Sequence, residues 1–199
     1  TQAEINVAIA VSVGQVDVVL SIPNTRDPGD EVIPAAPTVP TTRRGDIWRC
    51  GDHVVGCGDA RDRDFVRRVV GAETAAAMFS DPPYNVAING HAGGKGRIKH
   101  AEFAMASGEM ADEEFEAFLR DALLACIEVT REGGVHFVCM DHHHVDQLVR
   151  TLDPLYGARL NVCVWNKSNA GMGSLYRSKH ELVFVYRVGD VQHRNNVEL

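Results

Sequence analysis

No apolar run in this 199-residue chain approaches the roughly 20 residues that a membrane-spanning helix requires, so a helical membrane span is excluded. Paired-cysteine spacing is missing as well. The five cysteines (Cys50, Cys57, Cys126, Cys139, Cys163) form no Cys-x-x-Cys pair. Several sit in strand-like apolar stretches, as reduced, buried thiols do. A zinc site needs ligands from separate elements, and the run His142-His143-His144 lacks such partners. It reads as the polar start of a helix after Asp141, and no metal is expected. Positive charge is scarce: 20 Lys and Arg stand against 27 Asp and Glu, for a net −7. Any grip on a polyanion must therefore come from local patches. Two exist, Lys95, Arg97, Lys99 and His100 in one and Lys167, Arg177 and Lys179 in the other, each equally compatible with a solvated loop. Gly90-His91-Ala92-Gly93-Gly94-Lys95 is no phosphate loop, because the spacing fails and no Ser or Thr follows the lysine. Gly56-Cys57-Gly58 lacks the third glycine of a dinucleotide fingerprint. The chain opens without an initiator Met or a basic-apolar leader and is expected to start inside a longer protein; the thiol pattern points to the cytoplasm.

What is present suits one ordinary globular domain: 45% hydrophobic and 24% charged residues, with enough length to bury a core. Residues 1–42 divide into an apolar start, where Val11 to Leu20 fits a strand or a helix, and a Pro-rich linker from Ser21 to Thr42. Residues 43–199 then alternate. Asp46–Cys50 and His53–Cys57 read as a hairpin around Gly51-Asp52. Asp62 caps a helix to Val70, and Ala75–Phe79 is a strand. Residues 85–111 form a long Gly-rich loop, of the kind usually kept for function. Asp112–Thr130 is an amphipathic helix ended by Gly133-Gly134, and Val135–Cys139 a buried strand. In that strand His136 reads as a satisfied core histidine. A helix from His142 to Leu152 and two β-rich runs, Leu160–Trp165 and Glu181–Tyr186, complete the series. The order predicts an α/β fold whose sheet is mostly parallel and ends in an antiparallel hairpin.

The most informative residues are Asp81-Pro82-Pro83-Tyr84, at the end of the Ala75–Phe79 strand. Both prolines have a fixed φ and no N–H, and Pro82 pushes Asp81 out of the helical region. The result is a stiff, concave mouth holding a carboxylate, directed carbonyls and an aromatic ring. Those groups suit methylation of an exocyclic amino group on a nucleobase. The amino lone pair is delocalised into the ring, and a carboxylate and a carbonyl accepting its two N–H bonds would return density to nitrogen. An aromatic face would hold a base taken out of the stack. The alternative is a turn that caps a buried strand, with Tyr84 as its lid.

The tetrapeptide resembles the catalytic motif of the amino-methyltransferases that make N6-methyladenine or N4-methylcytosine in DNA. Gly45-Asp46-Ile47-Trp48 with Cys57-Gly58-Asp59-Ala60 is similar to the opening element of the permuted (β) class of these enzymes. By that resemblance Asp59 and Ala60 would contact the adenine of S-adenosylmethionine; a turn that caps the next helix explains Gly58-Asp59 equally well. Trp165-Asn166-Lys167, followed by Tyr176-Arg177-Ser178-Lys179-His180-Glu181, is similar to the segment behind the target base. The resemblance implies that Tyr84, Asn85, Lys167, Tyr176 and Arg177 bind substrate while His180 and Glu181 fix the loop to the hairpin. It implies a Rossmann-like methyltransferase sheet, double-stranded DNA as partner with the target base flipped, and a bacterial or phage origin. Thr1-Gln2-Ala3-Glu4-Ile5-Asn6 is similar to the helix after a ParB-like domain in some methyltransferases of bacteria and phages.

In the family it resembles Asp-Pro-Pro-Tyr is commoner for adenine and Ser-Pro-Pro-Tyr for cytosine, so the resemblance implies adenine N6 before cytosine N4, with Asp81 and the Pro82 carbonyl accepting the amino hydrogens. One part of the family pattern is missing. The Gly-rich Asp-Pro-Phe-x-Gly-x-Gly segment that grips the methionine end of the cofactor has no counterpart here. The sheet is therefore expected to be incomplete, and the chain to be a fragment or to need a completing chain or a homodimer. Two other functions follow from the same residues: a non-catalytic subunit that docks DNA, and an RNA methyltransferase.

Overall fold

β4 (Ala75–Asp81) sits between an antiparallel and a parallel neighbour, and its carboxyl end carries the Asp-Pro-Pro-Tyr turn. The computed structural model describes residues 39–87, 105–167, 175–176 and 179–195, together with the backbone of 8–12. The main sheet has five strands in the order β1-β4-β5-β7-β6, with β1 at Ala8–Ser12, β5 at Thr130–Met140, β6 at Ala158–Asn166 and β7 at His180–Arg187. β5 is parallel to β4, and α2 (Asp112–Ile127) forms the crossover between them. β7 runs antiparallel to both β5 and β6. So β4, β5 and β6 point one way, with β7 reversed between the last two. The β6–β7 hairpin thus forms the far antiparallel edge that the order of elements predicted, as a Rossmann-like sheet of the resembled family would have it. β1 adds an antiparallel strand on the other side, so part of residues 1–42 belongs to the sheet.

A separate two-stranded hairpin, β2 (Ile47–Cys50) and β3 (His53–Gly56), precedes α1 (Arg63–Val70). The helix starts where the sequence places it: the Asp62 carboxylate accepts from Asp64 N and Phe65 N, satisfying two of the orphan donors. Three acids, Asp112, Glu113 and Glu114, open α2 on the side its dipole favours.

α2 and α3 (Val145–Leu152) cover one face of the sheet. Alternation along the strands decides which side chains meet them. Met78, Val138, Met140, Phe184 and Tyr186 pack against Phe115, Phe118, Leu119, Leu123 and Leu148, all nearly fully buried. α1 attaches beside α2 through Val66, Ala125 and Val129, and both Arg63 and Arg67 pair with Glu128.

The α2–β5 junction and the start of α3 fall elsewhere than the sequence reading put them. α2 stops at Ile127, and β5 begins at Thr130, so Gly133 and Gly134 lie inside the strand and do not end the helix. A register shift between Ala75 and Ala77 absorbs them, with Gly133 at φ +73°. Glycine is needed at Gly134, where a Cβ would sit 2.4 Å from Thr130 Cγ2 and 2.9 Å from Arg131 O. Also, α3 begins at Val145, because the His144 ring and backbone are both engaged by Asp141.

Among the described glycines, Gly157, just before β6, would bring an added Cβ closest to another backbone. A Cβ there would lie 1.7 Å from the Gly189 carbonyl oxygen. Gly157→Ala is expected to cost at least about 2 kcal/mol, since backbone cannot yield as a side chain can. Urea midpoints would measure it, and an unchanged midpoint would contradict the close approach.

Candidate active site

Asp81 is the last residue of β4 and its side chain is exposed, while Pro82 and Pro83 behind it are buried. The turn they make returns Tyr84 towards the carboxylate. Its hydroxyl oxygen lies 2.5 Å from Asp81 Oδ1 and 2.7 Å from Glu181 Oε1. Burial, then hydrogen bonding to Asp81 and Glu181, holds the phenol far above its ordinary range, so Tyr84 keeps its proton. Asn85 takes a left-handed conformation, φ +55°, and clamps the far end of the motif. Its Nδ2 donates to Met110 O at 2.9 Å, and its Oδ1 accepts from Gly108 N and Met110 N.

Glu181 comes from β7, on the far side of β5, and stands opposite Trp165 in the hairpin ladder. Its carboxylate is 11% exposed, and Oε2 is paired with Lys167 Nζ. The lysine ammonium also lies 5.9 Å from the centroid of the Trp165 ring. Between the two acids runs β5, where Cys139 follows Val138, the partner of Ser80, and is itself paired with Val183 of β7. Burial, with the charges of Asp81 and Glu181 added, pushes the Cys139 thiol up to about 12, so it is not a nucleophile.

Asp59 and Ala60 stand in a different group. Asp59 Oδ1 accepts from Arg61 N and Nε, both at 3.0 Å, and Oδ2 accepts from Arg61 Nη2 and Arg44 Nη2. The Arg61 hydrogen bonds, followed by the charges of Arg61 and Arg44, hold its carboxyl below the usual range against the opposing effect of burial. Ala60 is buried in the main core.

The structure thus brings together Asp81, Pro82, Pro83, Tyr84 and Lys167. Asn85 is turned to the 108–110 backbone, and Tyr176 is 83% exposed. Arg177, the patch of Lys95, Arg97, Lys99 and His100, and residues 1–6 lie outside the described residues. Glu181, read from sequence as a loop anchor, faces Tyr84 directly. No local signal showed this, because the contact depends on the pairing of β5 with β7. Among the described residues no three His, Cys, Asp or Glu side chains gather as metal ligands, and no helix is long and apolar enough to cross a membrane.

At the end of β4 stand an exposed carboxylate, two buried prolines and an aromatic hydroxyl, the groups of the Asp-Pro-Pro-Tyr motif. The family model described as DNA methylase, for the N6/N4 enzymes, matches residues 75–199. The chain belongs to that family, the DNA N6-adenine/N4-cytosine methyltransferases. The match starts at the first residue of β4 and includes Asp81 to Tyr84, Lys167 and Glu181.

The family implies S-adenosylmethionine, and the residues present fit it unevenly. Asp81 offers an exposed carboxylate to a cationic methyl donor. Asp59 accepts four hydrogen bonds, about the capacity of a carboxylate, so an adenine amino group would have to displace an arginine.

Proposed function

We propose that this chain methylates an exocyclic amino group in double-stranded DNA, adenine N6 rather than cytosine N4, with S-adenosylmethionine as donor. The observation that carries the reading is the Asp81 carboxylate, exposed at the mouth of β4 and bonded to the Tyr84 hydroxyl. The target base turns out of the duplex beside Tyr84, at a cost of a few kcal/mol offset by stacking and edge hydrogen bonds. Asp81 and the Pro82 carbonyl accept the two amino hydrogens and align the nitrogen. Catalysis is then positioning and electrostatics. When bound, the cofactor supplies a methyl group on a sulfonium. Asp59 and Ala60 would hold its adenine, provided that Arg44 gave up its bond to Asp59 Oδ2. By the family resemblance Lys167, Tyr176 and Arg177 would bind the substrate, and Asn85, bonded to the 108–110 backbone, would hold the base-side loop. The setting is the cytoplasm of a bacterium or a phage-infected cell.

Unmethylated genomic DNA incubated with the chain and labelled S-adenosylmethionine, followed by nucleoside mass spectrometry, tests the reaction. N6-methyladenine that disappears in Asp81→Ala is the expected result. Labelled N4-methylcytosine would correct the base, and an active Asp81→Ala would sink the assignment.

Asp59→Ala is expected to raise the Kd for S-adenosylmethionine about tenfold, the loss of one charge-assisted hydrogen bond. Calorimetry on the full chain measures it, and an unchanged Kd removes Asp59 from the cofactor site. A second reading, a subunit that docks DNA while another chain completes the site, is favoured by the saturation of Asp59. Cofactor binding by the chain alone separates the two.

A further inference from the structure

Tyr84 has one hydroxyl hydrogen and two carboxylate oxygens within hydrogen-bond distance, Asp81 Oδ1 at 2.5 Å and Glu181 Oε1 at 2.7 Å. With both carboxylates ionised, that hydrogen serves only one of them, and the chain of three groups is short by one proton. The reaction proposed above yields one proton. When the amino nitrogen takes a methyl group, an N–C bond forms as the donor's S–C bond breaks to leave a thioether, and positive charge grows on a nitrogen that sheds a proton in the same step from the two hydrogens it holds.

We propose that Glu181, held in place by Lys167, is the positioning residue of this site: it takes the Tyr84 hydroxyl hydrogen when the substrate amino group occupies Asp81, and so opens a route for the released proton. The inference rests on the methylation reading and names a residue that the tetrapeptide does not contain. The proton passes from nitrogen to Asp81. It continues to the Tyr84 oxygen as the phenol's own hydrogen moves to Glu181 Oε1, and Glu181, 11% exposed, gives it to water. No charge accumulates on Tyr84, in keeping with a phenol that burial and two acids keep protonated. The pairing with Lys167 fixes Oε2 and leaves Oε1 to face Tyr84. Cys139, between the strands, holds its own proton and takes no part.

Two sets of measurements test this. In the free chain, NMR of tyrosine labelled at Cζ reads the Tyr84 hydroxyl with no cofactor or DNA present. Glu181→Gln and Lys167→Met are both expected to shift the Tyr84 signal, with the circular dichroism of the fold unchanged. In single-turnover methylation, Glu181→Gln, which accepts a hydrogen bond but not a proton, is expected to slow transfer about 100-fold with KM for DNA unchanged. Glu181→Asp should restore part of the rate. Tyr84→Phe should cost as much as Glu181→Gln, and the double variant no more than either, because both break one chain. An unmoved tyrosine signal, or additive losses in the double variant, overturns the role of Glu181 while leaving methylation standing. No transfer by the wild-type chain overturns the methylation reading, and the proton route with it.

Discussion

Asp81→Ala is expected to fold normally and to transfer methyl groups at least 1,000 times more slowly than the wild type. The side chain is exposed at a strand end, and Tyr84 keeps Glu181 as a hydrogen-bond acceptor when Asp81 is removed. Stability should therefore change by no more than about 0.5 kcal/mol, as for other surface positions. The rate should not be spared. One preorganised group facing developing charge is worth about 100- to 1,000-fold, and Asp81 both accepts an amino hydrogen and receives the proton. Asp81→Asn divides these roles, since the amide oxygen still accepts an N–H but holds no charge. It should fall between wild type and alanine. Rates from single turnovers, with urea midpoints on the same samples, give the answer; a slow Asp81→Ala that is also unfolded would leave the charge argument without support.

His136→Ala is expected to cost about 3 kcal/mol or more, a large loss of stability from one side chain outside the site. The ring is fully buried in β5, between Thr130 and Tyr156. Thr130 Oγ1 donates to Cys126 O, so towards His136 it must accept. Nε2 therefore carries the hydrogen, and bare Nδ1 accepts from the Tyr156 hydroxyl at 2.7 Å. Removing the ring leaves a cavity and strands that hydroxyl. The same burial lowers the His136 pKa to about 3. In the unfolded chain it lies near 6.5, so between pH 6.5 and 3 the unfolded state binds a proton that the folded state does not. Stability then falls as pH falls through that window, by about 1.4 kcal/mol per unit from this group, and is fully retained above it. His136→Gln removes the titration. Urea midpoints at pH 7 and pH 5 should differ less in that variant than in wild type.

Much of this was readable from residues alone. The Asp62 cap, the Gly51-Asp52 hairpin and the amphipathic face of α2 are local signals, and each appears where the pattern put it. The Asp-Pro-Pro-Tyr turn was legible because two prolines leave the backbone few choices. His136 was read as a core histidine and is one. What stayed hidden depends on pairing between distant segments. The bulge that hides Gly133 and Gly134 inside β5 arises from its ladder with β4. The reach of Arg44 to Asp59 and of Glu181 to Tyr84 leaves no periodic trace, since these contacts join residues 15 and 97 positions apart.

β5 separates the two acids of the site, with Asp81 on one flank and Glu181 on the other. That arrangement makes the site a late product of folding. β4, α2 and β5 form a crossover unit that can assemble first. Glu181 arrives only when β7 closes on β5, a contact of high sequence separation that forms slowly. A slip of one residue in that ladder would turn Glu181 to the opposite face of the sheet. During synthesis a chain that has emerged only through β5 would already own its carboxylate and its tyrosine, yet Tyr84 would be bonded to Asp81 alone. Recovery of turnover during refolding should accordingly lag behind the return of helical signal, and the length of that lag would time the docking of the last strand.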